Sequence, residues 1–489
     1  MESGVVVKQG AIRRVGKNTL LLTISEGGGR TLIFLFYIIA ARNLGVKEFG
    51  ILSFALALTT MFGVLADLGL NVFLTREVAR DYKEINNIFP NAAAIRSAGA
   101  IIVIGLSCLV VKILGYPPLT LKVVYILSVS IIFSVLNLLF YAIFQGYEQM
   151  EYISIGKGLG CIVLVVGAWI LSYLKVGVMG FAVLYCAAAV ISFFFNISIV
   201  KIKFVALSLK VDFRYWKSML KDSIPIGLAL IFIAIYNWIS SGMLSLMKGE
   251  EAVGWYNASY RLAIGLTYFA GAFVSAIYPL LSRAHVDSKE KVLFIFEKSL
   301  KYLLILGLPL SIGTTLLADK ITLLLYGNSY IPSILALKIL VWIVVLTFIN
   351  IAFGNLVTAT NHQNILTRQT GYCLILNILL NLILIPKFSF IGASIATVIT
   401  EIFALGYYLF AIPKTGYWLG KNTYFAIFKK LFLPAGTVTI FILLFRNFNL
   451  FLIVTVSVFL YLIVLYFNKS FDKNDFNIIK SLLRIKKYD

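Results

Sequence analysis

Charge is scarce in this sequence. Of 489 residues, 13% are Asp, Glu, Lys or Arg, 60% are hydrophobic, and the mean hydropathy is +0.94. Soluble domains carry about a quarter charged and about half apolar residues, so a water-soluble fold is excluded. Histidine occurs only at His285 and His362, both in or beside polar breaks, which argues against a histidine-based metal site. The four cysteines (Cys108, Cys161, Cys186 and Cys373) lie inside apolar runs without CxxC spacing. They read as small buried residues, not as disulfide partners or metal ligands. There is no DxD motif, and no polar segment is long enough to fold as a separate catalytic domain. The sequence therefore offers no catalytic residue, no metal ligand and no cofactor site, and a membrane glycosyltransferase, ligase or polymerase is disfavoured. No small-residue cleavage site follows the basic N-terminus, so the first apolar run reads as a retained span.

What is abundant is apolar runs of roughly 18 to 25 residues, the length that crosses a hydrocarbon core of about 30 Å. Barrel strands would alternate over about ten residues, and that pattern is missing. The reading is an all-α polytopic membrane protein with about 14 transmembrane helices. Spans one and two are expected at 19–41 and 48–72, and seven and eight at 222–247 and 253–280. Ten to twelve are expected at 332–357, 365–385 and 390–412, and thirteen and fourteen at 426–445 and 449–467. Lys and Arg number 43 against 21 Asp and Glu, a net charge of +22. They gather in alternate loops, which points to topology and not to nucleic acid, and places both termini inside. The heaviest inner segments, 201–222, 282–301 and the tail "KSLLRIKK" (480–487), also suit contact with anionic lipid.

The chain repeats. "LGVKEFGILSFALAL" (44–58) matches "MKGEEAVGWYNASYRLAIG" (247–265), with glycines bracketing the outer end of a descending helix. "GVMGFAVLYCAAAV" (177–190) matches "FIGASIATVITEI" (390–402). The expected organisation is an N-terminal lobe at 1–200 (spans one to six), a connector at 201–221 and a C-terminal lobe at 222–412 (spans seven to twelve). Spans thirteen and fourteen follow with a basic tail, at 413–489. A parallel repeat of this kind is typical of transporters, whose substrate site lies between the halves.

"R-x-LG-x-x-x-FG" (42–50), "DLGL" (67–70) and "REVAR" (76–80) resemble the opening of the polysaccharide flippases. These move O-antigen and other oligosaccharide repeat units and belong to the multidrug/oligosaccharidyl-lipid/polysaccharide exporter superfamily. "SIPIGLA" (223–229) and "YNASYRL" (256–262) resemble the same family. The resemblance implies a two-lobed bundle in the plasma membrane that carries polyprenyl-diphosphate-linked oligosaccharide from the inner to the outer leaflet by alternating access. It implies arginines on the first and eighth spans at the diphosphate, here Arg30 and Arg261. Implied partners are the lipid-linked oligosaccharide and, beside it, a polysaccharide polymerase and glycosyltransferases. In the lipid II flippases of the superfamily an acidic residue follows the first arginine. Here Thr31 follows it, so lipid II is not the implied cargo. Cation-coupled multidrug exporters of the same superfamily are the alternative.

The charged residues inside the spans are the candidate site. Arg30 lies about 16 Å from the outer end of its span by helical rise. An ionised group there costs at least about 2.5–3.5 kcal/mol unless it meets a partner or a wet cavity. Glu26, one turn earlier, shares its face, and Gly27, Gly28 and Gly29 between them permit close approach or bending. Arg30, Arg261 and Glu26 are the expected substrate contacts, with Asn237 and Tyr236 offering hydrogen bonds to sugar hydroxyls. A purely structural Glu26–Arg30 pair is the competing reading. Asp67, Glu401 and Lys338 are gating or ion-coupling candidates. Asp67 is expected to cap, to pair with Arg76 or Arg80, or to bind a cation; Glu401 and Lys338 are expected to pair with each other or with polar neighbours. Coupling by Na+, by H+ and by the membrane potential are all left open.

Overall fold

The computed structural model describes residues 2–81, 85–204, 211–468 and 470, and these contain helices and no strand. The tail at 480–487 and the middle of the connector lie outside the described residues. The first part of the chain forms α1 (Glu2–Asp67), α2 (Leu70–Arg80), α3 (Ile85–Ile113), α4 (Pro118–Gly146), α5 (Met150–Tyr173) and α6 (Val178–Lys203). Next come α7 (Phe213–Lys248), α8 (Glu250–Asp287), α9 (Lys289–Leu316) and α10 (Ala318–Tyr326). The chain continues through α11 (Ser333–Leu340), α12 (Trp342–Ala359), α13 (Gln363–Ala411), α14 (Lys421–Leu444) and α15 (Leu450–Phe467). Among the described residues, ten helices are long and apolar enough to cross a membrane. An eleventh is gained if α9 and α10, bent by 77° at their break, count as one span.

Two of the ten are of double length. Expected spans one and two lie on α1, which kinks at Gly45 (φ 68°, ψ −179°). Expected spans eleven and twelve lie on α13, which breaks at Ser389 (φ 52°, ψ −134°), three residues after Pro386. Proline removes the backbone donor that would carry a helix through such a point. Span two ends earlier than its apolar run suggests. Leu68 (φ 49°) and Gly69 (φ 77°) are both left-handed, so α1 stops at Asp67 and the chain turns into α2. Span seven begins earlier: Asp212 caps α7 by accepting the Arg214 N–H at 3.0 Å. The Arg214 guanidinium holds that carboxyl below the usual carboxylate range.

α1 packs along α5 and α8, α7 along α13, and α12 against α8 and α9. Near the kink, Gly45 and Gly249 hold the same conformation (φ 68°, ψ −179° and φ 81°, ψ −176°). Five residues on, Gly50 and Gly254 lie against each other's neighbourhood. A Cβ on Gly50 would collide with the Glu250 carbonyl, and one on Gly254 with the Val46 carbonyl. The contact is reciprocal between positions that the sequence repeat pairs. Only glycine allows two backbones to approach so closely.

Large side chains such as Phe36, Phe49, Phe181, Phe296 and Phe353 are buried between helices, whereas Phe432, Phe451, Phe459 and Phe467 on α14 and α15 are exposed. Apolar side chains facing outward are what a lipid surround requires. The chain is a multi-pass membrane protein.

Candidate functional site

The site begins on α1. Glu26 Oε2 lies 3.4 Å from Arg30, and Oε1 lies 2.6 Å from Lys157 Nζ on α5. One carboxylate is thus shared by two cations. Gly29 faces Cys161, with a built Cβ 3.7 Å from the sulfur, while Gly27 and Gly28 have no described atom within 4 Å of one. Two of the three glycines therefore border open space. The cavity here measures about 420 Å³, with Arg30, Lys157, Asn137, Tyr141 and Tyr185 among its walls.

Opposite stands α8. Arg30 lies over the ring of Tyr268 at 4.7 Å, and Arg261 lies over the ring of Tyr37 at 4.2 Å. Tyr37 is on α1 and Tyr268 on α8, each seven residues beyond the arginine of its own helix. Facing residues rise in number along α1 as they fall along α8: Arg30 meets Gly271, Phe34 meets Gly265, and Tyr37 meets Arg261. The helices are antiparallel, and each presents an arginine to the other's tyrosine. Arg261 also has Trp238 of α7 at 4.5 Å. Its Nε and Nη2 are buried with no hydrogen-bond partner among the described residues. Guanidinium stacked on aromatic faces gains about 0.5–2 kcal/mol per contact. Stacking leaves the in-plane N–H donors unanswered.

A second cavity of about 550 Å³ continues from the first, sharing Ser134 and Tyr185 with it. Its walls include Asp67, Asn71, Asn237 and Trp238. Asp67 pairs with Arg96 of α3, which is fully buried and also donates to the Val135 carbonyl at 3.0 Å. It does not pair with Arg76 or Arg80, because both of those bind Glu77. Asn237 donates to the Ile233 carbonyl of its own helix at 2.9 Å while lining the cavity.

Glu401 sits in a third cavity of about 420 Å³, which shares Ile233 and Asn237 with the second. It accepts from Tyr236 Oη at 2.8 Å and from Asn350 Nδ2 at 2.8 Å. Lys338 lines a separate cavity with Ile331, Leu335 and Phe390, and no ion pair joins it to Glu401 among the described residues. Glu401 therefore takes the polar neighbours, not the lysine. The structure brings Arg30, Glu26 and Arg261 to the α1–α8 face, and Tyr236 and Glu401 to another place one cavity away.

Sequence reasoning passed over Lys157, Arg96, Trp238, Tyr37 and Tyr268. A charge inside an apolar run, the signal that marks Arg30, was present at both Lys157 and Arg96. The four cysteines are free thiols, two buried and two half-buried.

A bundle of membrane-spanning helices with charged and polar cavities between them is the architecture of a membrane transporter. The chain belongs to the polysaccharide biosynthesis protein family, whose pattern matches residues 15–285; the MatE family matches 225–383. Among curated relatives, the Haloferax volcanii protein named "Probable flippase AglR" is 26% identical over 398 residues, 78% of this chain and 79% of that one. From the same organism, "Probable low-salt glycan biosynthesis flippase Agl15" is 24% identical over 166 residues, 34% of this chain and 35% of its own length. Among solved structures, the lipid II flippase MurJ in an inward closed conformation superposes with a TM-score of 0.77. That match covers 95% of this chain and 100% of MurJ at 17% identity, a likeness of fold.

Proposed function

We propose that the protein is a flippase that moves a polyprenyl-diphosphate-linked oligosaccharide from the inner to the outer leaflet. The observation that carries this reading is Arg261: a guanidinium fixed between Tyr37 and Trp238 with two buried, unanswered donor nitrogens. Arginine presents a planar fork suited to phosphoryl oxygens. Charge supports the same cargo. Glu26 offsets only one of its two cations, so the α1–α5 cluster keeps one positive charge, and Arg261 adds another. A diphosphate diester carries two negative charges.

The division 1–200, 201–221, 222–412 and 413–489 gives the moving parts. The two lobes rock about the Gly50–Gly254 crossing, and α1 and α8 exchange their Arg–Tyr stacks for phosphate oxygens. The head group travels through the cavities while the polyprenyl tail stays in lipid against α14 and α15. An inside-negative potential favours outward movement of an anion by about 2.3 kcal/mol per charge per 100 mV. The same potential draws the empty, cationic carrier back inward. The plasma membrane is the site, with anionic lipids on the basic face and polymerase and glycosyltransferases as neighbours. A cationic drug would meet net positive charge here, which disfavours the multidrug reading.

The test is outward movement of a diphosphate-linked oligosaccharide in sealed liposomes. Wild type should move it, Arg261→Ala should lower the rate at least tenfold, and Arg30→Ala should act in the same direction. Transport of cationic dyes and none of the lipid would replace this reading with the multidrug one.

A further inference from the structure

The repeat gives the protein two equivalent cavities with opposite chemistry. The first is lined from expected spans one (19–41), four (121–144), five (153–174) and six (178–200), at Ser25–Ile33, Ser134–Tyr141, Lys157–Leu164 and Tyr185–Ser192. The cavity around Glu401 is lined from spans seven, ten, eleven and twelve, at Ile233–Asn237, Thr347–Thr358, Leu366–Cys373 and Glu401–Tyr408. Each span number differs by six, so these are one cavity duplicated. In the first, both oxygens of the carboxylate are taken by cations. In the second, the carboxylate meets only neutral partners among the described residues, Tyr236, Asn350 and Thr347.

We propose that the cavity around Glu401 is a saccharide subsite, which takes the sugar nearest the diphosphate while the arginines hold the diphosphate itself. This rests on the flippase reading above. Sugar hydroxyls both donate and accept, so they need a wall of mixed amides and hydroxyls, with few fixed charges. Asn350, Asn355, Thr358, Gln369 and Thr370 supply that wall. A carboxylate offers about four lone-pair positions. Tyr236 and Asn350 take one oxygen each at 2.8 Å, which leaves capacity for hydroxyl donors. Asn350 spends its amide nitrogen on Glu401, and its Oδ1 is buried without a partner among the described residues, an acceptor awaiting a donor. A metal cation would instead need a cage of oxygens. The side chains that touch Glu401 from α7 and α12 donate to it, and no group of three acidic, cysteine or histidine residues forms among the described residues. The volume of about 420 Å³ lies in the range of small-ligand pockets. Asn237 lies in the wall of both this cavity and the second one, whose wall also holds Trp238, the ring on which Arg261 stacks.

The test compares affinities of the full protein in nanodiscs for bare polyprenyl diphosphate and for the same lipid bearing one sugar. The sugars are a neutral hexose, an N-acetylhexosamine and a 6-deoxyhexose. Trp238, beside Arg261, gives a fluorescence readout. At least one sugar-bearing lipid should bind about tenfold tighter than the bare one. Glu401→Gln should bring that ratio down about tenfold, and Asn355→Leu, at a side chain with no hydrogen bond among the described residues, about threefold. Arg261→Ala should weaken both lipids and keep the ratio. If no sugar is preferred, or if both cavity variants keep the ratio, the subsite is overturned and the flippase stands. If Glu401→Gln keeps the ratio and instead abolishes the pH dependence of transport, Glu401 is a proton site and the subsite is overturned. If wild type binds no diphosphate lipid at all, the flippase reading fails and takes the subsite with it.

Discussion

At the scale of residues, two charged sites show two different bargains with the membrane. Arg261 is held by aromatic faces and left short of acceptors. Arg261→Met should raise the melting temperature by the equivalent of about 1 kcal/mol, because an unsatisfied buried polar group is removed. The same change should abolish transport; a fall in melting temperature would mean that the arginine is structural. Asp67 and Arg96 are a closed pair. Asp67→Ala leaves a fully buried guanidinium uncompensated, a loss of about 3–5 kcal/mol. Asp67→Leu with Arg96→Leu should recover much of it in thermal unfolding, which distinguishes a structural pair from an ion-binding carboxylate. Arg30, Glu26 and Arg261 were legible as charges inside apolar runs. Their partners were not: Lys157 is 131 positions from Glu26, and a single sequence carries no sign of which helix faces which.

At the scale of elements, helix existence was written in the apolar runs, while the helix ends were not. The left-handed pair Leu68 and Gly69 and the cap at Asp212 moved boundaries that hydropathy alone drew differently, whereas the break at Ser389 falls in the gap expected between spans eleven and twelve. Glycines were flagged alike by sequence but differ in use. Gly27 and Gly28 border open space, so alanine there should be tolerated and should gain about 0.5–1 kcal/mol of helix stability each. Gly50→Ala or Gly254→Ala meets a carbonyl of the neighbouring helix. Overpacking of that kind costs about 1–3 kcal/mol. Melting temperatures of the four variants in detergent should therefore split into two pairs of opposite sign. Two equal pairs would show that the crossing is slack.

At the scale of the molecule, the expected repeat is read from matched order along the chain, and the sequence carries no sign of how the halves would meet. The repeat predicts that the covalent connector is dispensable. Residues 1–204 and 211–489, expressed together as separate chains, should assemble and melt within a few degrees of the intact protein. Recovery of either half alone, without its partner, would show the halves to be independent. The Gly50–Gly254 contact bears on ancestry. Each glycine touches the residue that leads into the other, and the two positions are counterparts in the repeat. A patch that binds its own equivalent is the signature of an isologous interface. The crossing is thus what a symmetric homodimer of a single six-span gene product would already have possessed.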